Sequence, residues 1–317
     1  MRVVFMGSPE FALPCLRRLI ESPHEIVGVF TQPDRPSGRG RALAPPPAKE
    51  LALANGLPVF QPASVSSPDA VAQLRALAPD IGVIAAYGQI LRQAVLDVPP
   101  LGILNVHASR LPRWRGAAPV PAAILAGDER TGATVMRVVR ALDAGPILDS
   151  VSIDIAPDDT TATLLPRVAE AGADLLVDVL PRWATGDIVA REQDEALATY
   201  APQIRKTDAL IDWERDGVEM VCRKVRAYDP WPVAYSHLDG TPLRILRATA
   251  LDLEPTASPG TVVRIDDVRA GFAVVAADGL AGIVKVQAAG GRAMSAADYL
   301  RGHPETIGKR LTAQPNA

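Results

Sequence analysis

The sequence has little cysteine and little histidine. Two cysteines, Cys15 and Cys222, stand far apart among 317 residues, and there are four histidines. That count speaks against a disulfide framework and suits a reducing compartment. Neither cysteine has a second one at metal-ligand spacing, and scattered histidines do not build a zinc site, so no metal is expected. No uninterrupted apolar run reaches the roughly 20 residues a membrane span needs. The opening residues Met1 to Gly7 read as a strand, with no apolar stretch ahead of a small-residue cleavage site, so the protein is expected to be cytoplasmic. Charge of one sign is lacking too. With 33 basic and 36 acidic residues the formal net charge is −3, so nucleic-acid binding must be argued from local patches. Internal repeats and low-complexity tracts are missing.

What is present is an ordinary globular composition, 48% hydrophobic and 22% charged, in a chain too long for one typical core. The 29 prolines are interleaved with apolar periodic segments and read as ordered connections. In the first half, strand-like runs (2–6, 25–31, 80–86, 102–107, 131–138, 147–155) alternate with helical ones (9–20, 47–55, 70–78, 118–126, 160–183). Pro9 is read as a first-turn proline. This alternation implies an α/β, doubly wound, mostly parallel Rossmann-like sheet, with its site beyond the carboxyl ends of the strands. Periodicity fades over 191–205. A short helix at 218–227 and strands at 234–238, 243–250, 260–265, 271–276 and 282–288 follow, with hairpin signals at Asp239-Gly240 and Asp278-Gly279. They suggest a small C-terminal β-barrel, OB-like in type. The expected division is a catalytic domain at 1–189, a linker at 190–206 and the barrel domain at 207–317.

Asn105 and His107 end an apolar run, and alternation along a strand points both to one side. Asp143, in Leu-Asp-Ala-Gly, sits in a turn able to return to that side. Together they offer an amide donor, a base that titrates near neutrality and a carboxylate to orient it. That set suits acyl transfer to an amine. Taken alone, the pattern also describes a hydrogen-bonded strand-end histidine and a turn aspartate.

The surrounding residues decide between these. Asn105-Val-His-Ala-Ser-Arg-Leu-Pro-Arg-Trp-Arg-Gly-Ala-Ala-Pro119 resembles the signature of the folate-dependent formyltransferases, and Leu142-Asp143-x-Gly145 is similar to that family's aspartate loop. Gly7-Ser-Pro-Glu-Phe-Ala12, Thr31 to Arg41 and Arg226-Ala-Tyr-Asp-Pro-Trp-Pro232 look like the branch acting on charged initiator tRNA. The likeness runs from Arg2 to about Leu300. It implies a 10-formyltetrahydrofolate donor, an initiator methionyl-tRNA acceptor and catalytic roles for Asn105, His107 and Asp143. It also implies a folate held along Ser109, Arg110, Leu111 and Pro112, with main-chain contacts near Tyr87, Gln89, Ile90 and Leu91. The loop carrying Arg35, Arg39 and Arg41 would probe the acceptor stem, with Lys206 as a further tRNA contact. No metal and no membrane are implied, and the chain is expected to be a monomer. Two positions depart from the family's pattern: Arg110 replaces the first of two usual leucines, and Pro146 stands where an acidic residue is common.

Other segments support weaker readings. Gly7-Ser-Pro lacks the second and third glycines of a dinucleotide fingerprint, which argues against a nucleotide-dependent dehydrogenase. Arg113, Trp114 and Arg115 fit either a base-stacking patch or a packed tryptophan between two surface arginines. Arg205, Lys206, Arg223, Lys224 and Arg226 fit either a basic stripe for a tRNA backbone or scattered solvated charges. Tyr228 and Trp231 are expected to pack at the domain hinge. The rivals are a formyltransferase with an amino-sugar acceptor, a formyltetrahydrofolate hydrolase, and a tRNA-binding protein with a vestigial site.

Overall fold

Apolar, β-branched runs make strands here wherever both faces are covered, and β1 (Arg2–Gly7) is buried from Val3 onward. The computed structural model describes residues 1–37, 42–255 and 257–314. After β1 come α1 (Leu13–Glu21), β2 (Glu25–Phe30), a two-stranded ribbon of β3 (Arg35–Ser37) and β4 (Ala42–Ala44), α2 (Pro47–Ala54), β5 (Val59–Phe60) and α3 (Pro68–Ala76). Then follow β6 (Ile81–Ala85), the short α4 (Gln93–Leu96), β7 (Ile103–His107), β8 (Arg115–Gly116), α5 (Pro119–Ala126), β9 (Arg130–Arg137), β10 (Ile147–Asp154), α6 (Thr161–Thr185) and β11 (Tyr200–Ala201).

The chain divides into two units. The first takes Met1–Pro119, Arg130–Asp154 and Leu165–Ala201; the second takes Val120–Glu129, Ile155–Leu164 and Pro202–Ala317. The first unit holds a seven-stranded sheet in the order β10-β9-β7-β6-β1-β2-β5. Its β7, β6, β1, β2 and β5 are parallel, while β9 runs antiparallel to β7 and β10 antiparallel to β9. The doubly wound, mostly parallel expectation holds, with an antiparallel edge. Pro9 is extended rather than helical. A short 3-10 turn at Glu10–Ala12 precedes α1, and Pro14 is the first-turn proline.

Helix α6 covers one face of β7. A Cβ on Gly172 would come within 2.7 Å of Val106 Cγ1, so only glycine lets the helix approach this closely. Trp183 Nε1 donates to the Leu101 carbonyl at 2.9 Å. Val106 takes the α6 face, so Asn105 and His107, one residue on either side, present their side chains to the other.

In the second unit, α7 (Val218–Ala227) is followed by β12 (Tyr235–Leu238), β13 (Thr241–Leu251), β14 (Val262–Val263), β15 (Phe272–Val275), β16 (Leu280–Ala288), β17 (Met294–Ser295), α8 (Ala296–Gly302) and β18 (Leu311–Thr312). The sheet is antiparallel, in the order β14-β15-β16-β13-β12-β18, with β17 on β16. An isolated bridge between Thr261 and Arg310 joins its two ends. The Asp239-Gly240 turn has both residues left-handed, at φ 49° and 75°, as a tight hairpin requires. Trp213, Ile245, Phe272 and Ile283 lie in its core, where Trp213 Nε1 donates to Ser236 Oγ at 3.0 Å. Helix α8 was not expected from periodicity. Its start is a cap, with the Asp298 N–H donating to Ser295 Oγ at 3.0 Å.

Candidate active site

Strand β7 ends at His107, which is 6% exposed, with half-buried Asn105 two residues earlier on the same side. The Asn105 amide makes no hydrogen bond to any described residue. Its donors are left for a ligand or water. His107 Nε2 lies 2.8 Å from the Trp114 carbonyl. A carbonyl only accepts, so Nε2 carries a proton and Nδ1 is the nitrogen left to accept one. Asp143 Oδ2 stands 3.7 Å from Nδ1, beyond a hydrogen bond, and accepts the Gly116 N–H at 2.9 Å. The structure therefore sets Asp143 beside His107, with Asn105 two residues earlier on the same side of β7.

Irregular backbone builds the rest. Trp114 and Asp143 are both left-handed, at φ 63° and 46°. Aspartate tolerates that region and tryptophan rarely visits it, so the turn is held from outside. The Trp114 N–H donates to Thr199 Oγ1 at 2.9 Å, and Arg115 N–H to the Thr199 carbonyl at 2.8 Å. Gly116 has φ 115°, and a Cβ there would sit 2.5 Å from the Ala201 carbonyl oxygen. Gly145, in the aspartate loop, has no room for a Cβ against the Arg137 carbonyl.

Arg115 is 2% exposed, which matches neither reading of the Arg113-Trp114-Arg115 triplet. Its guanidinium meets Glu195 in two bonds (Nη2–Oε1 2.7 Å, Nη1–Oε2 3.0 Å) and Gln193 Oε1 at 3.0 Å. The Glu195 hydrogen bond raises the arginine's pKa, against the opposing effect of burial. The same bond holds the Glu195 carboxyl below its usual range. Gln193 Nε2 donates to the Asp143 and Gly145 carbonyls, both at 2.7 Å. Sequence reasoning missed Arg115, Gln193, Glu195 and Thr199. The last three lie in the aperiodic stretch expected to be a linker, which is bonded to the first unit through Ala201. Arg113 instead stacks on Trp114, its Cζ 4.4 Å from the ring.

The candidate folate residues fall in two loops. Ser109 is fully buried and donates to the Arg113 carbonyl at 2.6 Å; Thr134 Oγ1, opposite His107, donates to the Ser109 carbonyl and accepts the Leu111 N–H. Leu111 is buried and Pro112 partly so, while Arg110 is exposed. In the second loop, Gln89 is spent on structure, accepting the Val65 N–H at 2.7 Å and donating to Pro62 O at 3.1 Å. Ile90 is 88% exposed, Leu91 is buried, and Tyr87 is buried with its hydroxyl unpartnered among the described residues; that burial pushes its phenol up. Buried Cys15 is pushed up to about 12 and Cys222 to about 11, so both stay thiols at neutral pH.

Of the candidate tRNA contacts, Arg35 donates to Gln32 Oε1 at 3.0 Å, and Arg39 and Arg41 lie outside the described residues. The base of that loop is fixed by Lys49, which meets Asp34 at 2.8 Å and Gln61 at 2.7 Å. Lys206, exposed, opens a short 3-10 turn in the second unit. Two of the five residues of the basic stripe, Lys224 and Arg226, have structural partners. Lys224 Nζ is bound to Asp216 at 2.5 Å and to the Leu210 carbonyl, and Arg226 to the Asp159 carbonyl at 3.1 Å. These cations are consumed by turns that α7 packs against. Tyr228 is buried, and Trp231 is 54% exposed.

A strand-end Asn-x-His facing a loop aspartate, on a parallel sheet, defines a class that the family comparison identifies: the chain belongs to the formyl transferase family. The formyl transferase model matches residues 1–180, and the model of the formyl transferase C-terminal domain matches 203–304. Its relatives include the methionyl-tRNA formyltransferase of Methylococcus capsulatus, 50% identical over 98% of this chain and 99% of that one. Another is the methionyl-tRNA formyltransferase of Chloroflexus aggregans, 47% identical over 95% and 97%. Among solved structures, HypX from Aquifex aeolicus in complex with tetrahydrofolic acid aligns at TM-score 0.62 and 19% identity, over 97% of this chain and 48% of HypX. The chain thus spans about half the length of HypX. An N-formyltransferase from Helicobacter canadensis in complex with folinic acid and dTDP-3-aminofucose aligns at 0.66 and 15%, over 89% and 98%. At these identities the likeness is one of fold.

Proposed function

We propose that this chain transfers the formyl group of 10-formyltetrahydrofolate to the α-amino group of methionine on initiator methionyl-tRNA. The observation that carries the chemistry is the uncommitted Asn105 amide two residues from His107, whose Nδ1 faces Asp143 at 3.7 Å. The folate supplies the formyl carbon that the amine attacks. Asn105 donates to the oxygen on which negative charge develops. His107, with Nε2 committed to Trp114, takes the amine proton at Nδ1. Asp143 faces the imidazolium that results, with the Gly116 N–H on the same carboxylate oxygen, and the proton goes on to N10 of the folate as its bond to the formyl carbon breaks and tetrahydrofolate leaves. Direct attack is sufficient, without metal or enzyme-bound intermediate.

The donor is held along Ser109 to Pro112, where Thr134 fixes the backbone, and by main-chain groups of residues 87–91. The exposure of Arg110 agrees with backbone contacts to the folate in place of side-chain packing. The acceptor is supported by the full-length relatives of that name. Arg35, Arg39, Arg41 and Lys206 contact the tRNA; the first unit carries the chemistry and the second helps hold the tRNA. The chain acts as a monomer in this reading. No described helix is long and apolar enough to cross a membrane, and the reaction belongs in the cytoplasm, where charged tRNA is used.

The test is formylation of charged initiator Met-tRNA by purified protein with 10-formyltetrahydrofolate, beside charged elongator Met-tRNA. Rapid transfer to the initiator alone is expected. Transfer to an amino-sugar, or folate hydrolysis alone, would assign the acceptor to a rival and leave the three residues in place.

A further inference from the structure

We infer that Gln193 is a positioning residue for the reaction, acting through Asp143. The inference rests on the formyl-transfer reading above and adds to it a residue outside the family's signature motifs. Gln193 sits between two groups of opposite hydrogen-bonding character. The Arg115 guanidinium donates only, so the amide oxygen must face it, at 3.0 Å. The carbonyls of Asp143 and Gly145 accept only, so both amide hydrogens face them, each at 2.7 Å. The orientation is fixed from both sides.

Its effect is local and specific. Asp143 is left-handed, and the loop around it runs from exposed Arg140 to half-buried Ala144. Gln193 holds the main chain on both sides of Ala144, and the Gly116 N–H holds the Asp143 carboxylate. Buried Arg115, anchored by Glu195, is the fixed point from which Gln193 reaches the loop. The stretch 193–199 also holds the other side of the site. Thr199 Oγ1 accepts the Trp114 N–H, and Trp114 in turn offers its carbonyl to His107. One irregular segment therefore sets the approach of His107 to Asp143 without contributing a group to the reaction.

The discriminating variant is Gln193→Glu. It keeps an oxygen for Arg115 but faces two carbonyls with no donor. Expected are a fall in kcat of about ten- to a hundredfold, the scale of a small misplacement of reacting groups, with KM for folate and tRNA unchanged. Backbone amides 141–145 should exchange at least about tenfold faster, because local opening of the loop is no longer opposed. Folate cleavage is read beside formylated product, so the variant-to-wild-type ratio is defined whatever the acceptor. A wild type that cleaves folate without formylating Met-tRNA would overturn the acceptor reading alone. The double variant with Asp143→Asn completes the cycle. If Gln193 acts through Asp143, the double variant is no slower than Asp143→Asn. Additive losses, unchanged kcat in Gln193→Glu, or a loss confined to KM would overturn the inference. Gln193→Met, neutral and of similar length, replaces the Glu variant if that one does not fold.

Discussion

The two sides of the candidate site are built by different means. Asn105 and His107 are carried by β7, inside a hydrogen-bonded ladder between β6 and β9, and their direction follows from strand alternation. Asp143 is carried by a loop. Its place depends on a left-handed residue, a glycine pressed against a carbonyl, and a glutamine and a buried arginine from remote segments. The strand side is fixed by the fold; the loop side is fixed by side chains that do nothing else. Substitutions on the strand side should therefore remove chemistry alone, and those around the loop should reduce rate and stability together.

The comparison breaks most sharply at His107. His107→Ala is expected to lower kcat by about 10²- to 10⁴-fold, the worth of a positioned general base, with tRNA affinity unchanged. Single-turnover formylation beside filter binding reads both, and wild-type turnover in the variant would end the mechanism. Gly116→Ala tests the loop side. Its Cβ meets the Ala201 carbonyl at φ 115°, so a destabilisation of about 1–3 kcal/mol is expected together with a loss of kcat. Thermal unfolding and steady-state rates measured on one preparation check this, and an unchanged Tm would contradict it.

A smaller effect should appear with pH. The Glu195 carboxyl is held below its ordinary value of 4.5 by the hydrogen bond from Arg115. A depressed carboxylate contributes stability that is present above its unfolded value and lost as pH falls through the folded one. Wild type should therefore lose stability below about pH 4.5 more steeply than Glu195→Gln. Unfolding midpoints measured from pH 6 down to about pH 3 decide it, and parallel curves would remove the pair from the account. The least effect is expected at Arg110→Leu. The side chain is exposed, so folate KM should change by no more than about twofold. A large change would show that it lines the folate site.

How far the sequence disclosed this arrangement depends on the regularity of the backbone. The period of two placed Asn105 and His107, and the alternation of strands with helices gave the parallel sheet. The antiparallel turn of β9 left no mark in composition. Nor did Arg115: in sequence it is one of three neighbouring polar or aromatic residues, and its partners Gln193 and Glu195 come about 80 residues later from a stretch without period. The basic run at 223–226 left two readings open for a related reason. Lys224 is neutralised by Asp216, eight residues earlier and on a turn, where no helical spacing would signal the pair.

The bond between Arg115 and Glu195 also decides where this enzyme can be cut. A piece ending at residue 189 would include every motif of the formyl-transfer signature and still lack the carboxylate and the amide that meet Arg115. The residues that look like spacer in the sequence thus close the first unit, through bonds to Arg115, Gly116 and the Asp143 loop.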